Sequence, residues 1–296
     1  MKRRRFVTAA ASALTLGSLS ARLAARERLP IKKGMLLSML PKELSIADRF
    51  RLAKEAGFAE MECRTTRSPE EVQEVQAAAR ASGVRVHSVM HTDHWRYPLS
   101  SASASDVEQS VDCMEVSLRN ARDWGADTVL LVPAVVNEET SYEQAWERSQ
   151  RHIRKMLPLA KEMGVVIAVE NVWNKFLLSP IEFARYVDEF QSPWLRAYFD
   201  VGNVVLFGYP QQWIRTLGER IVKVHLKDFR FQRDPDTGQR VAEFVPLREG
   251  DIQWPVVYDA LAAIGYQGAA TVELPGGDRA YIEEVSRRVD LILAGE

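Results

Sequence analysis

Cysteine is nearly absent, with only Cys63 and Cys113 in 296 residues. They show no C-x-x-C spacing, so a disulfide scaffold and a thiolate zinc or redox site are both excluded. Each reads as a small buried hydrophobe, and a bridge between them stays open because sequence does not show whether their Cβ atoms approach. Long hydrophobic runs are lacking too. The stretch from Phe6 to Leu19 is broken by Thr8, Ser12, Thr15, Gly17 and Ser18 and is too short and polar to span a bilayer, so no stable membrane association is expected. There is no basic excess: 39 Lys and Arg stand against 40 Asp and Glu, whereas a nucleic-acid-binding surface needs positive charge to neutralise phosphates. No Gly-x-Gly-x-x-Gly follows an apolar run, which removes the dinucleotide fingerprint. A small-molecule partner is the remaining default, with self-association into a homo-oligomer left open.

The first residues read as an address. Lys2-Arg3-Arg4-Arg5-Phe6-Val7 is a positive segment containing Arg-Arg-x-Phe, followed by a weakly hydrophobic Ala/Ser/Thr/Leu run to Leu19. It resembles a bacterial twin-arginine export signal. Residues 1–28 are read as this leader and 29–296 as one domain, and a periplasmic or otherwise exported location is expected. Without the leader the chain is acidic.

What the domain does have is repetition. Eight short apolar runs, Gly34–Leu40, Phe58–Glu62, Val84–Val89, Thr128–Val132, Val165–Val169, Leu195–Phe199, Ile221–Val224 and Ala269–Val272, alternate with eight amphipathic stretches. The runs suit parallel strands buried on both faces. The helical stretches are Ile46–Glu55, Pro69–Ala81, Val107–Trp124, Tyr142–Met163, Pro180–Phe190, Gln211–Leu217, Trp254–Ile264 and Tyr281–Leu293, punctuated by Ser-Pro before and Gly after. Eight βα units with short αβ connections predict an α/β fold, a single (β/α)8 TIM barrel. The segment from Phe229 to Ile252 reads as one long loop after the seventh strand, on the face where such barrels carry their sites.

Residues that end barrel strands are therefore the informative ones. The fifth run ends in Glu170, the sixth in Asp200, the seventh in His225 and the eighth in Glu273. One such acid alone would more often be a helix cap or a loop ion-pair partner. Four consecutive strands ending this way bring three carboxylates and one imidazole together, and the three anions would repel strongly without a cation between them. The oxygen-rich set suits Mn²⁺ first, with Mg²⁺ or Co²⁺ as alternatives, better than structural zinc. Around it, Glu62, His94, Arg96, Trp173, Asn203, Lys227 and Arg230 are candidate substrate contacts. Lys227 reads equally as a partner of Asp228 or of another acid, and Trp173 as loop packing. His87 reads as a core residue and His152 as part of a solvated helix face.

Several segments resemble a known family. Val169-Glu170-Asn171, Tyr198-Phe199-Asp200-Val201-Gly202-Asn203, Val224-His225-Leu226-Lys227-Asp228, Glu249-Gly250-Asp251 and Val272-Glu273-Leu274 are similar to segments of the xylose-isomerase-like sugar isomerase/epimerase superfamily, in its ketose 3-epimerase and sugar-phosphate 3-epimerase branch. The resemblance implies that Glu170, Asp200, His225 and Glu273 bind one divalent metal. It also implies that Glu170 and Glu273 work as base and acid on opposite faces of a sugar. The chemistry is coherent in itself: a proton beside a carbonyl becomes removable when the enediolate charge is stabilised by a Lewis acid. A hydroxypyruvate isomerase-like enzyme, a dehydratase or lyase on this barrel, and a non-catalytic sugar-binding barrel are the alternatives. Asn203 stands where many free-ketose enzymes carry His, and Phe176 where they carry a second Glu, as in the phosphate-sugar branch. Asp228-Phe229-Arg230 lacks the additional ligands of the endonuclease relatives, which speaks against DNA repair. Because phosphorylated intermediates are scarce outside the cytoplasm, the leader sets the expected substrate as a non-phosphorylated sugar or derivative.

Overall fold

The computed structural model describes residues 27–233, 236–238 and 240–296. The leader read at residues 1–28 lies, up to residue 26, outside the described residues. From Glu27 the chain is tied to the domain: Arg28 pairs with Asp290 at 2.7 Å, and the Leu29 amide donates to the Leu293 carbonyl at 3.1 Å.

Eight parallel strands close into a barrel. They are β1 (Lys32–Leu36), β2 (Glu60–Arg64), β3 (Arg85–Met90), β4 (Thr128–Leu131), β5 (Val166–Glu170), β6 (Leu195–Asp200), β7 (Ile221–Leu226) and, eighth in the barrel, β10 (Ala269–Val272). β10 pairs with both β7 and β1. Among the described residues eight α-helices alternate with them: α1 (Ile46–Glu55), α2 (Pro69–Ser82), α3 (Ala104–Trp124), α4 (Tyr142–Met163), α5 (Pro180–Asp188), α6 (Pro210–Leu217), α7 (Trp254–Ala263) and α8 (Arg279–Leu293). The expected (β/α)8 barrel is what forms. Helix boundaries follow local chemistry. Ser68 and Ser179 cap α2 and α5 ahead of their first-turn prolines, and Ser141 forms a capping box with Gln144. Helix α4 stops at Gly164, whose φ of 68° is easily reached only without a side chain. Both cysteines are buried and free, so the bridge left open by sequence does not form. No described helix is long and apolar enough to cross a membrane.

Strand period sets the site. Side chains alternate between barrel interior and helix layer, so Ala168 and Glu170 share the inner face of β5, Tyr198 and Asp200 that of β6, and Lys223 and His225 that of β7. Small or apolar inner residues such as Leu130 and Ala168 pack around Tyr198, and the ionisable groups stand at the strand ends above them. Below, His87 is a core residue as expected, sharing a 2.8 Å hydrogen bond with Thr271 across the interior.

The segment after β7 is not one extended loop. It forms an antiparallel hairpin of β8 (Asp228–Arg233) and β9 (Arg240–Val245), with Phe229 opposite Phe244. Aromatic cross-strand packing stabilises it: the Phe229 and Phe244 rings lie 5.2 Å apart, and Phe229 is fully buried. Asp228 fastens its base. The carboxylate accepts hydrogen bonds from the Phe229 amide (2.8 Å), the Arg248 amide (2.7 Å) and the Trp254 indole (2.9 Å). Gly250 passes so close to this carboxylate that no Cβ fits there. Asp228→Ala leaves buried donors without an acceptor and should destabilise the fold by about 3 kcal/mol in urea unfolding, with faster proteolysis between 229 and 252. A variant within about 0.5 kcal/mol of wild type would show that the carboxylate does not anchor the hairpin.

Candidate metal centre

Glu170, Asp200, His225 and Glu273 meet at the C-terminal mouth of the barrel. Each offers one ligand atom, and these atoms all lie within 4.8 Å of one another. His225 Nδ1 is 2.9 Å from Glu170 Oε1, 2.9 Å from Glu273 Oε2 and 3.9 Å from Asp200 Oδ2. Thus the four residues read from strand ends converge on one centre, all but Glu273 buried.

The other ring nitrogen is held from below. His225 Nε2 lies 3.2 Å from Glu62 Oε1, and Tyr198 donates its hydroxyl to Glu62 Oε2 at 2.8 Å. Glu62, a candidate substrate contact by sequence, has both oxygens engaged inside the barrel. This is the carboxylate–imidazole arrangement that fixes the orientation of a ligating His. Asp200 is fixed as firmly. Its Oδ1 accepts from the Asn203 amide at 2.7 Å, and its backbone exchanges two hydrogen bonds with the Asn171 side chain. The Asn203 side chain donates to the Asn171 carbonyl at 3.0 Å, bolting the ends of β5 and β6 together.

Lys227 reaches over the cluster, 3.2 Å from Asp200 Oδ2 and 2.9 Å from Glu273 Oε2. Its partners are the candidate ligands themselves rather than Asp228. Gly202 permits this approach, since a Cβ there would fall 2.7 Å from Lys227 Cβ. Although the ammonium is near, Asp200 Oδ2 and Glu273 Oε2 are buried without a well-formed hydrogen bond. Buried carboxylate oxygens short of donors fit a cation site. Burial pushes Glu170 up to about 7 and raises Asp200. Burial would also raise Glu273, but His225 and Lys227 outweigh it and hold this carboxyl below the usual range. For His225 the burial penalty is overcome by Glu273, Glu62 and Glu170, which hold the ring well above its ordinary value.

The remaining candidates follow β3, β5 and β7 in the chain. The Trp173 indole donates to the Asn203 carbonyl at 2.9 Å, and its ring stacks on Phe244 at 5.0 Å. Lys227 Nζ lies 5.5 Å from the centre of the Phe244 ring, so the hairpin brings an aromatic wall to the site, which sequence reading missed with the hairpin. His94 is buried, its Nδ1 accepts from the Val132 amide at 3.4 Å, and its ring stacks on His91. Burial, with the charges of His91 and Arg64, pushes His94 down to about 3. Arg230 donates to the Glu249 carbonyl, while Arg96 is exposed over the Tyr97 ring. His152 is half-buried on α4, away from the strand ends.

Fold and geometry together define an (α/β) barrel with an acid-rich, imidazole-containing site at its mouth. The sequence model described as the xylose isomerase-like TIM barrel matches residues 50–289, and the chain belongs to this family. It is 29% identical over 254 residues to the putative L-ribulose-5-phosphate 3-epimerase SgbU of Escherichia coli (strain K12), covering 81% of this chain and 87% of that protein. The fold is shared with a D-tagatose 3-epimerase-like protein at a TM-score of 0.74 and 18% identity, over 88% of this chain and 98% of that one. It is shared also with a xylose isomerase-like TIM barrel protein from Mycobacterium smegmatis in complex with magnesium. That TM-score is 0.68 at 17% identity, over 90% of this chain and 97% of the other.

Glu62→Gln tests how the imidazole is held. It removes the charge behind His225 while preserving shape, and should weaken Mn²⁺ or Mg²⁺ binding by roughly 10–100-fold in calorimetric titration. Unchanged affinity would mean that Glu62 does not act through His225.

Proposed function

We propose that this protein is a divalent-metal-dependent sugar epimerase that moves a proton on the carbon beside a carbonyl, a ketose 3-epimerase in its relatives' terms. The reading rests on one observation: Glu170 and Glu273 approach the same His225 nitrogen at 2.9 Å each. Two carboxylates thus flank a single centre, and a substrate carbon between them is open to removal and return of a proton. Similarity to SgbU, a putative L-ribulose-5-phosphate 3-epimerase, and to the D-tagatose 3-epimerase-like protein supports it.

In this scheme Glu170, Asp200, His225 and Glu273 hold the metal. When bound, it supplies Lewis-acid stabilisation of the charge that develops on the substrate oxygens. Glu170, as the carboxylate, takes the proton from one face, and Glu273 serves the other. His225 and Lys227 keep Glu273 ionised, and Lys227 adds positive charge at the mouth. Glu62 acts through His225, as a positioning residue. Trp173 and Phe244 wall the pocket against water and offer an apolar face to the sugar ring or chain. Mn²⁺ is the favoured ion, with Mg²⁺ and Co²⁺ as alternatives. The Arg-Arg-x-Phe segment at the N-terminus supports reading this activity as exported from the cytoplasm.

Incubation with a ketose panel and Mn²⁺ in deuterated water should yield a diastereomer carrying one deuterium at the inverted carbon. Glu170→Gln and Glu273→Gln should each lower turnover by roughly 10²-fold or more while circular dichroism stays unchanged. No exchange into any ketose, or full activity of either variant, would overturn the reading.

A further inference from the structure

The cations expected at the mouth are mostly engaged. Lys227 answers Asp200 and Glu273, and Arg230 is held by the Glu249 carbonyl. Arg64, absent from the sequence reading, is not. Its backbone ends β2, two residues beyond Glu62. Glu62 points into the barrel, as its contacts with His225 and Tyr198 establish. By the two-residue period of a strand, Arg64 shares that inner face about 6–7 Å nearer the mouth.

A cavity of about 240 Å³ opens at this level, and its lining includes Ser38, Glu62, Cys63, Arg64, Met90 and Glu273. Glu273 belongs to the metal centre, so a molecule touching the reacting end of the site extends directly toward Arg64. Arg64 is exposed, lines this cavity and forms no hydrogen bond or ion pair with any described residue. The two acids beside it are taken: Glu62 by His225 and Tyr198, Glu273 by His225 and Lys227. Ser38, just beyond β1, adds a hydroxyl to the same wall, also without a partner among the described residues.

We propose that Arg64, with Ser38, receives an oxyanion carried by the substrate, so that this enzyme acts on an anionic sugar rather than a neutral one. The inference rests on the epimerase reading and names its substrate class. A planar fork of N–H donors matches phosphate and carboxylate alike, two parallel bonds to two oxygens. A phosphate ester agrees with the similarity to a putative L-ribulose-5-phosphate 3-epimerase. A sugar acid agrees with an exported enzyme. The shared chemistry is the oxyanion, and experiment separates the two sources.

The test uses the full chain loaded with Mg²⁺ and two readouts. In the first, kcat/KM is measured for a free ketose, its terminal phosphate ester and a keto-sugar acid. Wild type should favour one anionic substrate over the free ketose, and Arg64→Ala should cut that preference roughly 30-fold or more, with Arg64→Lys retaining part of it. The favoured arm, ester or acid, identifies the anion. In the second readout, inorganic phosphate and glycolate are titrated calorimetrically into wild type and Arg64→Ala, which reports on the subsite without turnover. Binding lost in Arg64→Ala supports the subsite even if no ketose is turned over, a result that would sink the epimerase reading alone. Equal use of neutral and anionic substrates, an unchanged preference in Arg64→Ala, or anion binding indifferent to Arg64 would overturn the inference while leaving the epimerase intact.

Discussion

Like charges forced together out of water govern this structure. Ligand atoms from three carboxylates and an imidazole lie within 4.8 Å of one another at the barrel mouth. At an effective dielectric near 20, two unit negative charges at that separation repel by about 3 kcal/mol. Burial adds a desolvation cost to each ionised carboxyl. The protein carries partial answers in Lys227, which leans on Asp200 and Glu273, and in His225, which faces all three acids. A divalent cation is the fuller answer, because it neutralises two charges at the centre and can coordinate oxygens that Lys227 and His225 approach without a well-formed hydrogen bond.

The scaffold's task is to hold these groups against their repulsion. Parallel strands deliver one inner side chain each to the same level, and the paired strand ends Asp200 and His225 stand directly across the β6–β7 register. Hydrogen bonds then lock the rotamers: Asn171 and Asn203 around Asp200, Glu62 and Tyr198 beneath His225. At the opposite end of the barrel Lys223 pairs with Asp127 at 2.8 Å. There the charges serve closure of the barrel rather than chemistry, since catalytic groups of such barrels sit at the C-terminal ends. The Phe229–Phe244 hairpin belongs to the site end. Its base is riveted by Asp228, and its aromatic face completes a wall begun by Trp173.

The barrel and the four strand-end residues were legible because both follow from simple patterns. Buried parallel strands read as apolar runs, so an acid or imidazole that terminates a run is conspicuous, as Glu170, Asp200, His225 and Glu273 are. Arg64 was hidden by a boundary. The second run reads as ending at Glu62, but pairing with β3 continues to Arg64, and only that extra register places the guanidinium over the cavity. The hairpin was hidden by composition. Its Arg, Asp and Gly content suggests a loop, and the pairing of Phe229 with Phe244 across a turn is a tertiary fact. Roles of polar residues were hardest to read. By residue type Asn203, Glu62 and Lys227 suit substrate contact, yet each is held by a partner that sequence distance conceals, such as His225, 163 residues from Glu62.

The account turns on whether the acid cluster is a metal centre. Anomalous diffraction from crystals of the protein soaked in Mn²⁺ addresses this most directly. The account predicts one dominant manganese peak, within about 2.0–2.3 Å of oxygens from Glu170, Asp200 and Glu273 and of His225 Nδ1, with Lys227 displaced from its present position. Crystals that remain without density at this cluster, or that bind manganese only elsewhere, would contradict it.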